Sequence, residues 1–316
     1  MRGPRQRLSA WFESRLPRTD TWTLTQRNVY IVPTGAGFMF ALVLLVMLLA
    51  AINYQLSLGY VLTFMLAGAG FVSMHMTHNT LRGMTLHLKP PQPGFAGEAL
   101  MLEVVLASPQ RLLHGVGVGF NGTDRGHDVF VDVPAGGQSV AHLALVPPRR
   151  GLHAVPTLRV ETRYPLGLFR AWTVWRPAAQ ALAWPAPERP AVPLPAAPAI
   201  AGESAVRRAS DSGEFDGIRS YRRGDAFKHI VWKKVAKQGD LVSRDHAASV
   251  QQELWLDWQQ AQTAGTEPKL ARLAAWVLAA DAAGVAHGLR LPGVELAPGQ
   301  GSAHCRASLD ALALWS

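Results

Sequence analysis

The chain has 316 residues, 48% of them apolar, and a formal charge of +9. That length allows about two domains. Its single cysteine, Cys305, excludes an intramolecular disulfide framework and lacks the Cys and His spacing of a zinc site, so it reads as a small apolar residue. The positive charge speaks to solubility and to partners such as nucleic acid or anionic lipid, not to fold.

Residues 1–35 form a basic segment containing Arg2, Arg5, Arg7, Arg15, Arg18 and Arg27. Trp11, Phe12, Leu16 and Trp22 among them suit either a segment lying along a membrane surface or a solvated basic tail. Residues 36–76 read as a transmembrane helical hairpin. Ala36 to Ile52 is uncharged, Asn53, Tyr54 and Gln55 make a polar turn, and Leu56 to Met76 forms a second uncharged run. At ~1.5 Å per residue, each run is about long enough for a bilayer core of roughly 30 Å. Gly59, Ala67, Gly68, Ala69 and Gly70 would let the helices approach closely. Arginines precede the first run, Arg82 and Lys89 follow the second, and the turn holds no basic residue. The positive-inside rule therefore predicts that both ends are cytoplasmic. The first run lies too far from Met1 for a signal peptide and leads straight into a second run. His75 and His78 stand three apart near the end of the second run. Two ligands are too few for a metal, so they read as interfacial histidines.

Residues 80–184 change texture. Alternating runs such as "LMLEVVLAS", "HDVFVDVP" and "SVAHLALVP" are separated by turns rich in Gly, Pro, Asn and Asp. The spacing predicts an antiparallel β-sandwich-like domain. "GVGVGF", residues 115–120, lacks the strand-loop-helix context of a dinucleotide loop and reads as a glycine-rich strand. The proline-rich residues 185–201 read as an extended spacer.

The basic stretch 217–241, "GIRSYRRGDAFKHIVWKKVAKQGDL", dominates residues 202–316. Seven Lys and Arg face two acids, Asp225 and Asp240. Asp225 is placed to cap a helix over 226–238, with Phe227, Ile230, Val231 and Val235 on one face and Gly239 at its end. "LVSRDHA" then reads as a strand, as does "VQQELWLDW" at 250–258, which carries Asp257 near its end. Residues 268–283 form an amphipathic helix, which suggests an α/β layer.

This stretch resembles the signature of the bacterial family called domain of unknown function 58. The matching residues are Glu214, Phe215, Arg219, Tyr221, Gly224, Asp225, Ile230, Trp232, Ala236 and Lys237. "RYPLGLFRAW", residues 163–172, is similar to a second family segment. Lys228 and Val231 depart from the family's usual arginine and acid. The resemblance implies an α+β membrane protein whose C-terminal part is a partial α/β, von Willebrand factor A-like region. The metal-binding form of that domain ends its first strand in Asp-x-Ser-x-Ser. Here Asp257 is followed by Trp258, Gln259, Gln260 and Ala261, and the chain ends about sixty residues later, so no metal or other cofactor is expected.

The resemblance further implies a protein of the bacterial inner membrane working with a MoxR-type AAA+ ATPase, beside transglutaminase-like or von Willebrand factor A-type proteins. An adaptor or assembly role is the first reading, with Arg222, Arg223, Lys228, Lys233 and Lys237 as the docking surface. An enzyme using Asp225, His229, Lys233 or Asp257 is the second, although these residues suggest no nucleophile-base-orienter set. Nucleic-acid binding through the basic residues, Tyr221, Phe227 and Trp232 is the third. No nucleic-acid fold motif accompanies them, so nucleic acid is not an expected partner.

Overall fold

Period-two patterning builds strands with one apolar face each, as in Leu100–Ala107, where Leu100, Leu102, Val104 and Leu106 are buried while Met101 is exposed. A computed structural model describes residues 16–195, the strands 218–220 and 242–244, and residues 254–316. The chain divides into two units, Met1–Ala186 with Ala313–Ser316, and Pro187–Leu312.

The first unit contains β1 (Thr21–Thr23), β2 (Tyr30–Pro33), β3 (Thr85–Leu88), β4 (Gly94–Phe95), β5 (Leu100–Ala107) and β6 (Leu113–Phe120). It continues with β7 (Val129–Val133), β8 (Gln138–Leu145), β9 (Gly151–Ala154), β10 (Leu158–Thr162), β11 (Phe169–Trp175) and β12 (Gln180–Trp184). A four-stranded sheet runs β1-β3-β5-β8 and a five-stranded sheet runs β2-β11-β10-β6-β7. Every neighbouring pair in both is antiparallel. A small third sheet, β4-β12-β9, pairs β12 with β4 in parallel. Leu86, Leu102, Val104 and Leu143 of the first sheet join Val116, Leu158, Val160 and Trp175 of the second in one buried cluster. At ~25 cal/mol per Å² of apolar area removed from water, this cluster is the main source of the unit's stability.

Residues 1–35 are not wholly a separate flanking segment. Their described part supplies β1, which pairs with β3, and β2, which pairs with β11. "TWT" and "YIVP" are rich in β-branched and aromatic residues, which suit an edge strand. Trp22 packs against the core instead of lying along a membrane, while Trp11 and Phe12 fall outside the described residues.

Between β2 and β3 the chain forms α1 (Gly35–Asn53) and α2 (Ser57–Leu81). Both are long and apolar enough to cross a membrane, by length and composition. Their side chains are mostly exposed, Phe38 at 65% and Leu58 at 80%. Glycine lets the two helices meet closely. A Cβ on Gly59 would lie 3.0 Å from Ala51 Cβ, and one on Gly70 would lie 3.0 Å from Phe40, whereas Gly68 faces open space. The second helix runs beyond Met76 because its last turn is buried: Thr77, Thr80 and Leu81 are covered, and Leu81 belongs to the sandwich core.

The second unit is built on β15 (Leu254–Asp257), α3 (Thr266–Ala282), β16 (His287–Leu291), β17 (Val294–Gly299) and α4 (Ser302–Leu314). Strand β15 pairs in parallel with β16, and β16 pairs antiparallel with β17. The α3 crossover buries Leu270, Leu273, Ala274, Val277 and Ala280, spaced as one helical stripe. The proline-rich residues are more than a spacer where they are described. Glu188 N–H donates to the Ala271 carbonyl, Arg272 grips the Glu188 carboxylate with Nε and Nη2 at 2.8 and 3.0 Å, and Trp276 Nε1 donates to the Pro193 carbonyl at 3.0 Å. The Arg272 hydrogen bond holds the Glu188 carboxyl below its usual range. Prolines leave backbone carbonyls free as acceptors, so such a segment can dock along a helix.

Candidate functional site

Most of the sequence-predicted motif lies outside the described residues: Glu214, Phe215, Tyr221, Arg222, Arg223, Gly224, Asp225, Lys228, His229, Ile230, Trp232, Lys233, Ala236 and Lys237, with the helix over 226–238. Its flanks are described. Strand β13 (Ile218–Ser220), which carries Arg219, pairs antiparallel with β14 (Val242–Arg244) in the register Ile218↔Arg244, Arg219↔Ser243 and Ser220↔Val242. The two ends of the basic stretch are therefore joined as a ladder.

Asp257 ends β15, as its position in the sequence predicts. Its Oδ1 accepts the Gln259 N–H at 2.8 Å, and its carbonyl accepts the Gln260 N–H. The carboxylate thus shapes its own turn. Among the described residues no group of three or more His, Cys, Asp or Glu is placed to hold a metal ion. Cys305 is buried on α4, where burial pushes its thiol pKa up, in keeping with a small apolar role.

The site that sequence reasoning missed lies on the outer face of the five-stranded sheet. Strand β10 is buried on both faces: Leu158, Val160 and Thr162 enter the sandwich, while Arg159 and Glu161 point the other way and are still covered. The Arg159 side chain is 9% exposed and that of Asp128 1%. Arg159 Nη2 lies 2.8 Å from both oxygens of Asp128. The Glu161 side chain, 2% exposed, has four guanidinium groups around it: Arg163 at 3.4 Å, Arg159 at 3.5 Å, Arg125 at 3.6 Å and Arg170 at 3.7 Å. Burial pushes the Arg170 guanidinium pKa down and nearby Arg125 adds to this, while Glu161 opposes it.

The neighbouring strand makes room for this arrangement. In register, Glu161 faces Gly117 and Arg159 faces Gly119 across β6. A Cβ on Gly119 would sit 1.9 Å from Asp128 Oδ1, and one on Gly117 would sit 2.8 Å from the Phe130 ring. Gly115, at φ +61°, sits where the β6–β7 register slips, and its N–H donates to Asp132 Oδ1 at 2.7 Å. "GVGVGF" is thus a strand, and its glycines clear the face on which the ionic cluster lies. Phe130, Gly117, Glu161, Trp172 and Tyr30 form one row across all five strands.

The cluster lies close to where the helices leave the unit. Thr34 caps α1 by accepting the Gly37 N–H at 3.1 Å, and its Oγ1 donates to the Gly167 carbonyl at 2.6 Å. Thr77 Oγ1 of α2 donates to the Tyr164 carbonyl at 2.7 Å. The turn between β10 and β11 is therefore fastened to both helices. Gly37 passes so close that a Cβ would lie 2.1 Å from the Leu168 carbonyl oxygen. On α2, His75 and His78 line a crevice of about 340 Å³ with Gln26, Ile31, Met74 and Arg82.

Chemically, the cluster offers forked, planar donors suited to carboxylate or phosphate. A Gly-x-Gly-x-Gly strand beside "LRVETR" was the available signal, since Gly117 and Gly119 sit on a crowded face while Gly115 serves the bulge. Compared with family models, curated proteins and solved structures, the chain matches none. Fold and site together define an α+β protein with several antiparallel sheets and two helices apolar enough for a bilayer.

Proposed function

We propose that this chain is a membrane-anchored, non-enzymatic adaptor or assembly factor that presents the basic stretch 217–241 to an acidic partner. The observation that carries the reading is that β2, before the hairpin, and β3 onward, after it, belong to one β unit. Both flanks of α1 and α2 then lie on one side of any bilayer the helices cross. Mostly exposed apolar helices of this length support the anchor. The basic flanks favour the cytoplasmic face of a bacterial inner membrane as that side.

The pairing of β13 with β14, which flank the basic residues in sequence, supports reading the stretch as one motif. The resemblance to the domain of unknown function 58 family points to a MoxR-type AAA+ ATPase as the partner. The parallel β15–α3–β16 crossover with Asp257 at the end of its first strand is compatible with a partial von Willebrand factor A-like region. Charged surfaces of this kind steer and orient a partner.

The test is capture from detergent-solubilised membranes by the tagged full chain. Changing Arg222, Arg223, Lys233 and Lys237 together to Gln should abolish capture of the AAA+ ATPase while leaving the melting temperature nearly unchanged, and raised salt should weaken the wild-type complex. Normal capture by the four-site variant at physiological salt overturns the docking reading.

A further inference from the structure

We propose that the arginine cluster around Glu161 is a binding site for the phosphate headgroup of an anionic phospholipid. This rests on the membrane anchoring proposed above and adds a ligand that the adaptor reading does not require.

Charge is the first argument. Among the described residues, Arg125, Arg159, Arg163 and Arg170 make ion pairs with two acids, Asp128 and Glu161. Two positive charges are left over. Arg159 is committed to Asp128 at 2.8 Å, whereas all four arginines pair with the single Glu161 carboxylate at the longer distances of 3.4 to 3.7 Å. One carboxylate does not saturate that many guanidinium forks.

Unmet hydrogen bonding is the second. Among the described residues, Arg159 Nε, Arg170 Nε and Trp172 Nε1 are three buried donors without an acceptor, against one buried acceptor without a donor, Glu161 Oε2. Buried donors ordinarily have partners, so three orphans in one cluster point to a ligand rich in acceptors. The cluster is also graded in exposure. Arg125 and Arg163 are about half exposed at 50% and 52%, while Arg170 at 17% and Arg159 at 9% lie deeper. An anion would meet the more exposed arginines first and the buried ones last.

Position is the third argument, and it selects lipid over free phosphate. Arg163 and Arg170 flank the turn whose carbonyls accept from Thr34 and Thr77, the residues at the base of α1 and α2. In the anchored protein that is headgroup depth. Tyr164 and Leu166 are exposed on the same turn, and Tyr30 lies 5.2 Å from Trp172 beside the cluster. Aromatic side chains beside arginine at this depth are the usual furniture of a membrane interface. Anionic lipid attracts basic groups there electrostatically.

The test uses the full chain in detergent micelles, offered equal amounts of phosphatidylglycerol and phosphatidylcholine, with retained lipid read by native mass spectrometry. Wild-type protein should keep phosphatidylglycerol preferentially. The Arg163→Gln/Arg170→Gln variant should lose that preference by roughly tenfold or more, with phosphatidylcholine retention unchanged. Arg125→Gln, at a half-exposed position, is the second variant should the double one fold poorly, and it should lower the preference in the same direction. Inorganic phosphate forms a third arm. Thermal stabilisation by phosphate with no preference for phosphatidylglycerol would overturn the lipid assignment. So would equal retention of both lipids by wild type. Carbonate extraction of native membranes separates the two readings: a chain released by carbonate breaks the anchor, whereas a retained chain without lipid preference breaks only this site.

Discussion

Strand β10 buries Leu158, Val160 and Thr162 on one face, and Arg159 and Glu161 on the other. The first face meets aliphatic side chains of the opposite sheet, among them Leu102 and Val104. The second meets charged groups brought by β11, by the turn after β10 and by the loop that holds Arg125 and Asp128. Apolar burial is non-directional and scales with area, so the inner face needs only shape and volume. Charge burial is directional, because a buried charge without its partner carries a penalty of several kcal/mol. One alternating strand therefore serves two interiors under different rules, and the charged one holds the unmet donors Arg159 Nε, Arg170 Nε and Trp172 Nε1. A ligand can add to the outer face, whereas the inner face is closed.

The largest expected effect comes from the inner face. Trp175 is 1% exposed, and its Nε1 donates to the Thr19 carbonyl at 2.7 Å. Trp175→Ala should lower the unfolding free energy of the full chain by about 3–5 kcal/mol in chemical denaturation. A loss below about 1 kcal/mol would mean that this face does not behave as a packed core.

A smaller effect of unusual sign sharpens the outer face. On an ordinary strand, replacing Gly by Ala stabilises by about 0.5–1 kcal/mol. At Gly119 the new Cβ would fall 1.9 Å from Asp128 Oδ1, inside the buried Arg159 pair. Gly119→Ala should therefore destabilise by roughly 1–3 kcal/mol, as overpacking does. Gly117→Ala would press on one edge of Phe130, which is 61% exposed and free to turn, so it should cost less. Equal melting temperatures for Gly119→Ala and wild type would show that the outer face is loosely held.

The same contrast explains what the sequence made legible. Alternation in "LMLEVVLAS" and "SVAHLALVP", the two uncharged runs, the strand carrying Asp257 and the helix over 268–283 are local signals, and strands and helices form over them with ends shifted by a few residues. The outer-face cluster was not legible, because "LRVET" reads equally well as a strand with two charges in water. Only the long-range register, which sets Glu161 beside Trp172 and Gly117, shows that those charges are covered. β1 and β2 were hidden by the arginines around them, which drew attention to charge over the short "TWT" and "YIVP" segments. The docking of Pro193 and Glu188 on α3 depends on a helix some eighty positions away, a separation no local pattern records. The signature around Trp232 lies outside the described residues, so its reading stays where the sequence leaves it.

A buried histidine that makes no ion pair among the described residues completes the comparison, and its expected effect is the smallest. His287 on β16 is fully buried, with Nδ1 3.3 Å from the Val285 carbonyl and no acceptor at Nε2. Burial pushes its pKa below the ordinary histidine value. The Val285 carbonyl opposes this, the nearby His304 adds to it, and Asp281 opposes it weakly. Unlike Glu161, it solves burial by staying neutral. Because the folded state holds this proton less tightly than the unfolded state, the stabilisation is complete above about pH 6.5 and is lost as pH falls below it. Cys305, the only cysteine and buried in the neighbouring helix, provides a local probe. Its protection from a thiol reagent, calibrated at each pH against the denatured chain, should fall as pH drops below about 6.5. His287→Leu should flatten that dependence, since a neutral side chain has no proton to gain. An unchanged slope in His287→Leu would assign the acid sensitivity to another group and remove His287 from the contrast with the paired charges of β10.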